Sequence, residues 1–205
     1  MEPFELSGPV VRLEPLGEGH AGRLVAAAAE DPGLYQWQYT PQGTDAMLAY
    51  IAEALAGLRE GHMVPFAVVR QQDDAVVGTT RYNRIEYWAW PAGTPHFGRE
   101  TPDVCEIGNT WLARSALRTA VNTGAKRLLL QYAFETWLVH RVALRTDVRN
   151  SRSQAAIERL GAHLDGTIRG ERLAADATVR DSKVYSITAA EWPAVKERLV
   201  ALQDR

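Results

Sequence analysis

The chain has a single cysteine, Cys105, among 205 residues. A lone thiol can neither close an intrachain disulfide nor build a thiolate metal cluster, which fits a reducing compartment. The 5 histidines are scattered without ligand spacing, so no metal site is expected. Charge of one sign is also missing: 23 Lys and Arg face 25 Asp and Glu, a formal net charge of -2. That is no field for holding nucleic acid, and no block of like charge marks a tail. No apolar run approaches the roughly 18 residues that span a bilayer. The opening MEPFELSGPVVRL lacks a basic segment followed by an apolar one, the pattern of a secretory leader. The expectation is a cytoplasmic protein with no nucleic-acid or membrane partner.

What is present is an ordinary core. Hydrophobic residues make up 46% of the chain, and a chain of this length is expected to form one domain over 1–205. Alternation predicts a strand over Val10–Leu16, and Ala- and Leu-rich stretches predict helices over His20–Ala29 and Thr44–Arg59. Thr44 reads as the N-cap of the second helix and Gly61 as its stop. Val64–Arg70 and Ala75–Arg84 read as strands joined by the turn QQDD. Tyr87–Pro102, rich in Pro and Gly and carrying Trp88, Trp90 and Phe97, reads as a long loop. Loops of this length inside a domain are usually functional or disordered.

The stretch from Glu106 to Gly161 is the most informative. A strand, Val104–Ala113, meets a short loop, Arg114–Thr119, and then a helix from about Asn122 to Leu138. A second strand, Arg141–Asp147, leads into a helix opened by Asn150 and Ser151. Strand, tight loop and helix together aim backbone N–H groups and a positive helix end at one point, a ready phosphate site. Strands over His163–Glu171 and Val179–Ile187, around a turn near Ala175–Ala177, and a helix over Ala190–Leu202 close the chain. The order implies an α/β domain: a mixed, mostly antiparallel, twisted sheet with helices on both faces.

In this order the chain resembles a Gcn5-related N-acetyltransferase, of the branch that includes the ribosomal-protein alanine acetyltransferases. The carrying pieces are VVRLEPL with His20, GTTRY at Gly78–Tyr82, EIG at Glu106–Gly108 with Trp111 and Leu112, RTAVNTGAK at Arg118–Lys126, DVRNSRSQAAIERLGA at Asp147–Ala162, and RDSKVYSI with EWP near the end. The resemblance implies that acetyl-CoA is the co-substrate and that a primary amine, on a small molecule or a peptide N-terminus, attacks it directly in a ternary complex. It also implies a homodimer. It departs at the loop: Leu117 and Ala120 stand where the family usually has Gln or Arg and then Gly.

The resemblance assigns roles residue by residue. Glu106 is the candidate base; its alternative is a structural ion pair with an arginine such as Arg81 or Arg145. An N–H of Trp111, Leu112 or Ala113 would polarise the thioester carbonyl. Leu117, Arg118, Thr119, Ala120, Val121 and Asn122 form the pyrophosphate loop. The family's usual tyrosine acid is replaced by Ile157, which leaves Ser153 as a substitute proton donor. Asn150 is a contact for the pantetheine arm, with helix capping assigned to Ser151. Lys126 and Arg127 read as surface cations near the loop. Trp37, Tyr39, Arg81 and Trp88 are candidates for the acceptor pocket, although Trp88 and Trp90 could equally seal a subunit interface. Cys105 neighbours Glu106 on a strand and so points to the opposite face, which argues against a covalent acetyl-enzyme. The alternative to catalysis is an inactive CoA-binding or interaction module on the same fold.

Overall fold

The computed structural model describes residues 2–203. The strands are β1 (Leu6–Ser7), β2 (Val11–Pro15), β3 (Val64–Arg70), β4 (Ala75–Glu86), β5 (Val104–Leu112), β6 (Arg141–Asp147), β7 (His163–Leu173) and β8 (Val179–Thr188). The helices are α1 (Ala21–Ala29), α2 (Thr44–Arg59), α3 (Val121–Glu135), α4 (Ser151–Leu160) and α5 (Trp192–Gln203). All strands join one 8-stranded sheet in the order β1-β2-β3-β4-β5-β6-β8-β7. Every neighbouring pair is antiparallel except β5 with β6. This is the expected mixed α/β sheet.

Side-chain alternation assigns the helices to faces. Tyr82 donates its hydroxyl to the Leu129 carbonyl of α3. Thr79, of opposite parity on the same strand, shares a hydrogen bond with Tyr50 of α2 (2.9 Å). So α2 covers one face and α3 the other. The α3 face also receives α4, because Tyr185 of β8 bonds Glu158 at 2.9 Å. On that face Phe4, Phe66, Tyr82, Tyr132 and Trp137 interlock through ring contacts. Trp192 stacks on Phe134 and is buried with Trp137 in the core, as expected.

Three local readings change. The two residues of β1 are too few to show alternation. Gly43, at φ 79, stands at the cap position of α2, and Thr44 is already helical. Asn150, not Ser151, caps α4: its side chain accepts the Ser153 N–H at 3.0 Å.

Candidate active site

The site arises where the sheet fails to close. β5 and β6 pair in parallel only through Val104–Arg141, Cys105–Val142 and Glu106–Ala143. Beyond Glu106 the ladder to β6 stops. The pairing of β5 with β4 slips between Thr79 and Arg81, and Asn109 adopts φ 48. An extra residue of this kind bends a strand and increases its twist. Gly78 permits the close packing behind the bend, since a Cβ there would lie 2.0 Å from the Trp111 carbonyl. The resulting cleft, about 1480 Å³, is lined by β5, β6, the Arg114–Asn122 loop, α4 and the segment around Trp37.

The open edge of β5 carries the backbone donors. Ala113 spends its N–H on the Val77 carbonyl (2.7 Å). Backbone groups of an antiparallel strand alternate in direction, so those of Leu112 turn away from β4. The Leu112 carbonyl on that edge accepts the Tyr35 hydroxyl at 3.1 Å, and the Thr110 carbonyl accepts the Gln38 amide. Leu112 is therefore the residue of the Trp111–Ala113 trio whose N–H points away from β4. The same bonds fix the Tyr35–Tyr39 segment beside the cleft. Trp37 lies there under the Arg149 guanidinium, 4.2 Å from the ring centre.

The loop before α3 places no positive φ on Ala120. Ala120 has φ -70, a backbone conformation that any residue adopts without strain. Left-handed geometry falls instead on Arg118, at φ 60. No side chain caps the α3 N-terminus through its cap residue. Thr119 Oγ1 accepts the Val121 N–H at 3.3 Å. The first helical hydrogen bond is from the Gly124 N–H to the Ala120 carbonyl (2.8 Å). First-turn N–H groups thus face the cleft mouth, the arrangement that suits an anion.

Glu106 is buried at the point where β5 and β6 part. Arg145 Nε donates to its Oε2 at 2.6 Å, and Arg84 approaches the same oxygen at 3.5 Å. The ion pair with Arg145 is present; Arg81 instead packs over the Tyr50 ring and donates to Met63 Sδ. Among the described residues Oε1 receives no hydrogen bond, so one oxygen faces the cleft. Gly108 leaves it room: a Cβ there would lie 2.7 Å from Asn83 Nδ2 and 3.3 Å from that oxygen.

Lys126 differs most from its reading as a surface cation. It is buried and lines the cleft. Its Nζ donates to Thr110 Oγ1 and to Thr80 Oγ1 (3.3 Å), with no carboxylate in ion-pair range among the described residues. Burial pushes its pKa down to about 7. The readable signal was helical spacing: Lys126 lies three residues after buried Thr123 and four before buried Leu130. Cys105 is buried on the opposite face from Glu106, and desolvation pushes its thiol pKa up.

Of the expected site residues, Glu106, Trp111, Leu112, Leu117, Arg118, Thr119, Ala120, Asn122, Asn150, Ser153, Trp37 and Tyr39 converge on this cleft. Ala113, Val121 and Arg81 are buried in the fold instead. Trp88 lies elsewhere too, its ring stacked on His140 at 5.5 Å and its backbone N–H donating to Asp103 Oδ2. The Tyr87–Pro102 loop is fastened at the opposite end of β5, so Trp88 does not join Trp37. Arg145, expected only as an ion-pair partner of Glu106, also lines the cleft, as do Arg172 and Arg180, which were not expected. Their convergence depends on strand register. Among the described residues, no group of His, Cys, Asp and Glu is arranged to hold a metal, and no helix is long and apolar enough to cross a membrane.

Comparison with known proteins agrees with this geometry. YdaF of Bacillus subtilis, a ribosomal N-acetyltransferase by name, is 35% identical over 91 residues, 44% of this chain and 49% of that protein. The match thus spans about half the length of that curated relative. A structure from T. thermophilus named as an acetyltransferase is 31% identical, with a TM-score of 0.78 over 98% of both chains. Mycobacterium smegmatis RimJ, solved with CoA-disulfide, shares the fold at 23% identity and a TM-score of 0.78, over 98% of this chain and 95% of that one. The family described as the acetyltransferase (GNAT) domain matches residues 11–163, and the chain belongs to it.

Proposed function

We propose that this protein transfers the acetyl group of acetyl-CoA to a primary amine by direct attack within a ternary complex. The observation that carries the reading is the cleft between the parting strands β5 and β6, with Glu106 at its apex and the start of α3, whose cap residue Ala120 offers no side-chain bond, at its mouth. The chain's residues fit the co-substrate. The amides of the Arg118–Asn122 loop suit its pyrophosphate, and the open edge of β5 suits its pantetheine arm. Acetyl-CoA supplies an activated acyl group and a thiolate leaving group.

The protein's own part is positioning and proton handling. The Leu112 N–H is the donor aimed at the thioester oxygen, where charge develops as the amine attacks. Glu106 Oε1 receives the amine proton, directly or through water, while Arg145 holds the carboxylate in place. The N–C bond forms and the C–S bond breaks. Ser153 Oγ, or the Lys126 ammonium, returns a proton to sulfur. The loop Tyr87–Pro102 would then serve pairing between two copies, since it is remote from the cleft and exposes Tyr87, Trp88 and Phe97. The name of YdaF, a ribosomal N-acetyltransferase, favours a peptide or protein amine as acceptor.

The testing experiment is a thermal shift with acetyl-CoA followed by an amine screen that reads free thiol. Stabilisation of about 2.7 kcal/mol at 100 times Kd is expected, shared by CoA and not by NAD. Binding with no thiol release across the amines would support the inactive CoA-binding module instead, the reading favoured by Ile157 in place of a tyrosine. No binding would remove both.

A further inference from the structure

The wall of the cleft on the Glu106 face of the sheet carries cations that the transfer chemistry does not use. Arg172 of β7 and Arg180 of β8 are direct partners across their antiparallel ladder, and both line the cleft. Partners across a ladder project from the same face, and like charges so placed destabilise a sheet. The neighbouring arginines are neutralised. Arg149 is clamped by Asp147 (2.7 Å) and Asp176 (2.9 Å). Arg145 is clamped by Glu106 (2.6 Å) and Glu171 (2.7 Å).

Arg180 has no such partner. Its Nε donates to the Ser182 hydroxyl at 2.8 Å, and among the described residues no carboxylate lies within ion-pair range. Burial first, and Arg172 second, depress its pKa. Arg172 reaches only Glu171 Oε2, at 3.8 Å. That oxygen is itself buried without a hydrogen bond. The wall therefore holds two guanidinium groups without a close carboxylate partner of their own, Arg180 feeling Asp147, Glu171 and Glu106 only at longer range, beside Glu106 Oε1, which receives no hydrogen bond among the described residues.

A ligand bearing both an amine and a carboxylate completes both sets. We propose that the acceptor is such an amine, with its carboxylate seated between Arg172 and Arg180 and its amine directed at the Glu106 side. The amine half of this assignment rests on the transfer reading; the carboxylate half does not.

The test uses the ω-amino acids from glycine to 6-aminohexanoate, each beside its amide, titrated calorimetrically into the full chain saturated with CoA. At the length that matches the site, the acid should bind about tenfold or more tightly than its amide, as a charge-assisted hydrogen bond implies. Arg180→Gln and, separately, the more exposed Arg172→Gln should each remove that preference and leave affinity for acetyl-CoA unchanged. Circular dichroism checks that both variants fold. Equal binding of acid and amide at every length would overturn the proposal. So would a loss that falls on acetyl-CoA, which would assign these arginines to the co-substrate's phosphates. An acid preference without thiol release from any member would keep the carboxylate subsite and remove the transfer reading.

Discussion

Arg145 donates to Glu106 across the seam between β5 and β6, Nε to Oε2 at 2.6 Å. The pair holds the glutamate by one oxygen and leaves the other toward the cleft. Glu106→Gln keeps the volume and much of the hydrogen bonding but cannot accept a proton. Turnover should fall about 10²–10⁴-fold, with little change in acetyl-CoA affinity. Unchanged turnover at optimal pH would reduce Glu106 to a structural partner. Arg145→Met, in contrast, removes the closest partner of two buried carboxylates, Glu106 and Glu171, and should destabilise the fold by about 3 kcal/mol in a urea titration.

Lys126 gives a pH dependence of definite sign. Its pKa is pushed down to about 7 from 10.5, so between those values the unfolded chain holds a proton that the folded chain lacks. Stability therefore rises with pH across that window and is lost as pH falls toward 7. Lys126→Met removes the penalty, and Thr80 and Thr110 still bond each other at 2.8 Å. The variant should gain about 2–4 kcal/mol at pH 7 and much less at pH 10. A gain independent of pH would place the charge elsewhere.

Arg118 separates backbone from charge. Arg118→Gly relieves a left-handed residue at φ 60 and should stabilise the fold by about 1 kcal/mol. Arg118→Ala keeps the strain and removes the cation. If the guanidinium contacts the pyrophosphate, both variants should bind acetyl-CoA several-fold more weakly, with a flatter salt dependence. If only amides hold it, neither affinity should move.

Cys105 should resist iodoacetamide in the native protein, because its buried thiol rarely ionises. Cys105→Val should retain turnover. Labelling of Cys105 by the acetyl group would contradict direct transfer.

Gly78→Ala should cost about 3 kcal/mol, because its Cβ would meet the backbone carbonyl of Trp111 rather than a movable side chain. A melting temperature equal to that of the parent would show that β4 and β5 can shift apart at the bend.

Alternation and turn residues located the regular elements well. Thr44–Arg59, Val64–Arg70 and Arg141–Asp147 have the expected limits. Local chemistry did less well where dihedrals decide: a Gly at φ 79 displaced Thr44 from its cap. The cleft itself was legible as strand, loop and helix, since those residues are contiguous. Arg180 was not, because its meaning comes from Arg172, which sits opposite only after β7 and β8 have paired with bulged register. Lys126 failed for another reason. A lysine is ordinarily solvated, and only the full helical stripe of α3 reveals that this one points inward.

The seam of three residue pairs between β5 and β6 has a mechanical meaning. Two antiparallel blocks, one ending in β5 and the other beginning with β6, are stitched there by the shortest ladder between long strands. A molecule lying in the cleft with its amides against the free edges supplies the rungs that the chain omits. Binding and cohesion would then be the same act: a ligand so placed would splice the two blocks, and amide exchange along β5 and β6 should slow together when it enters.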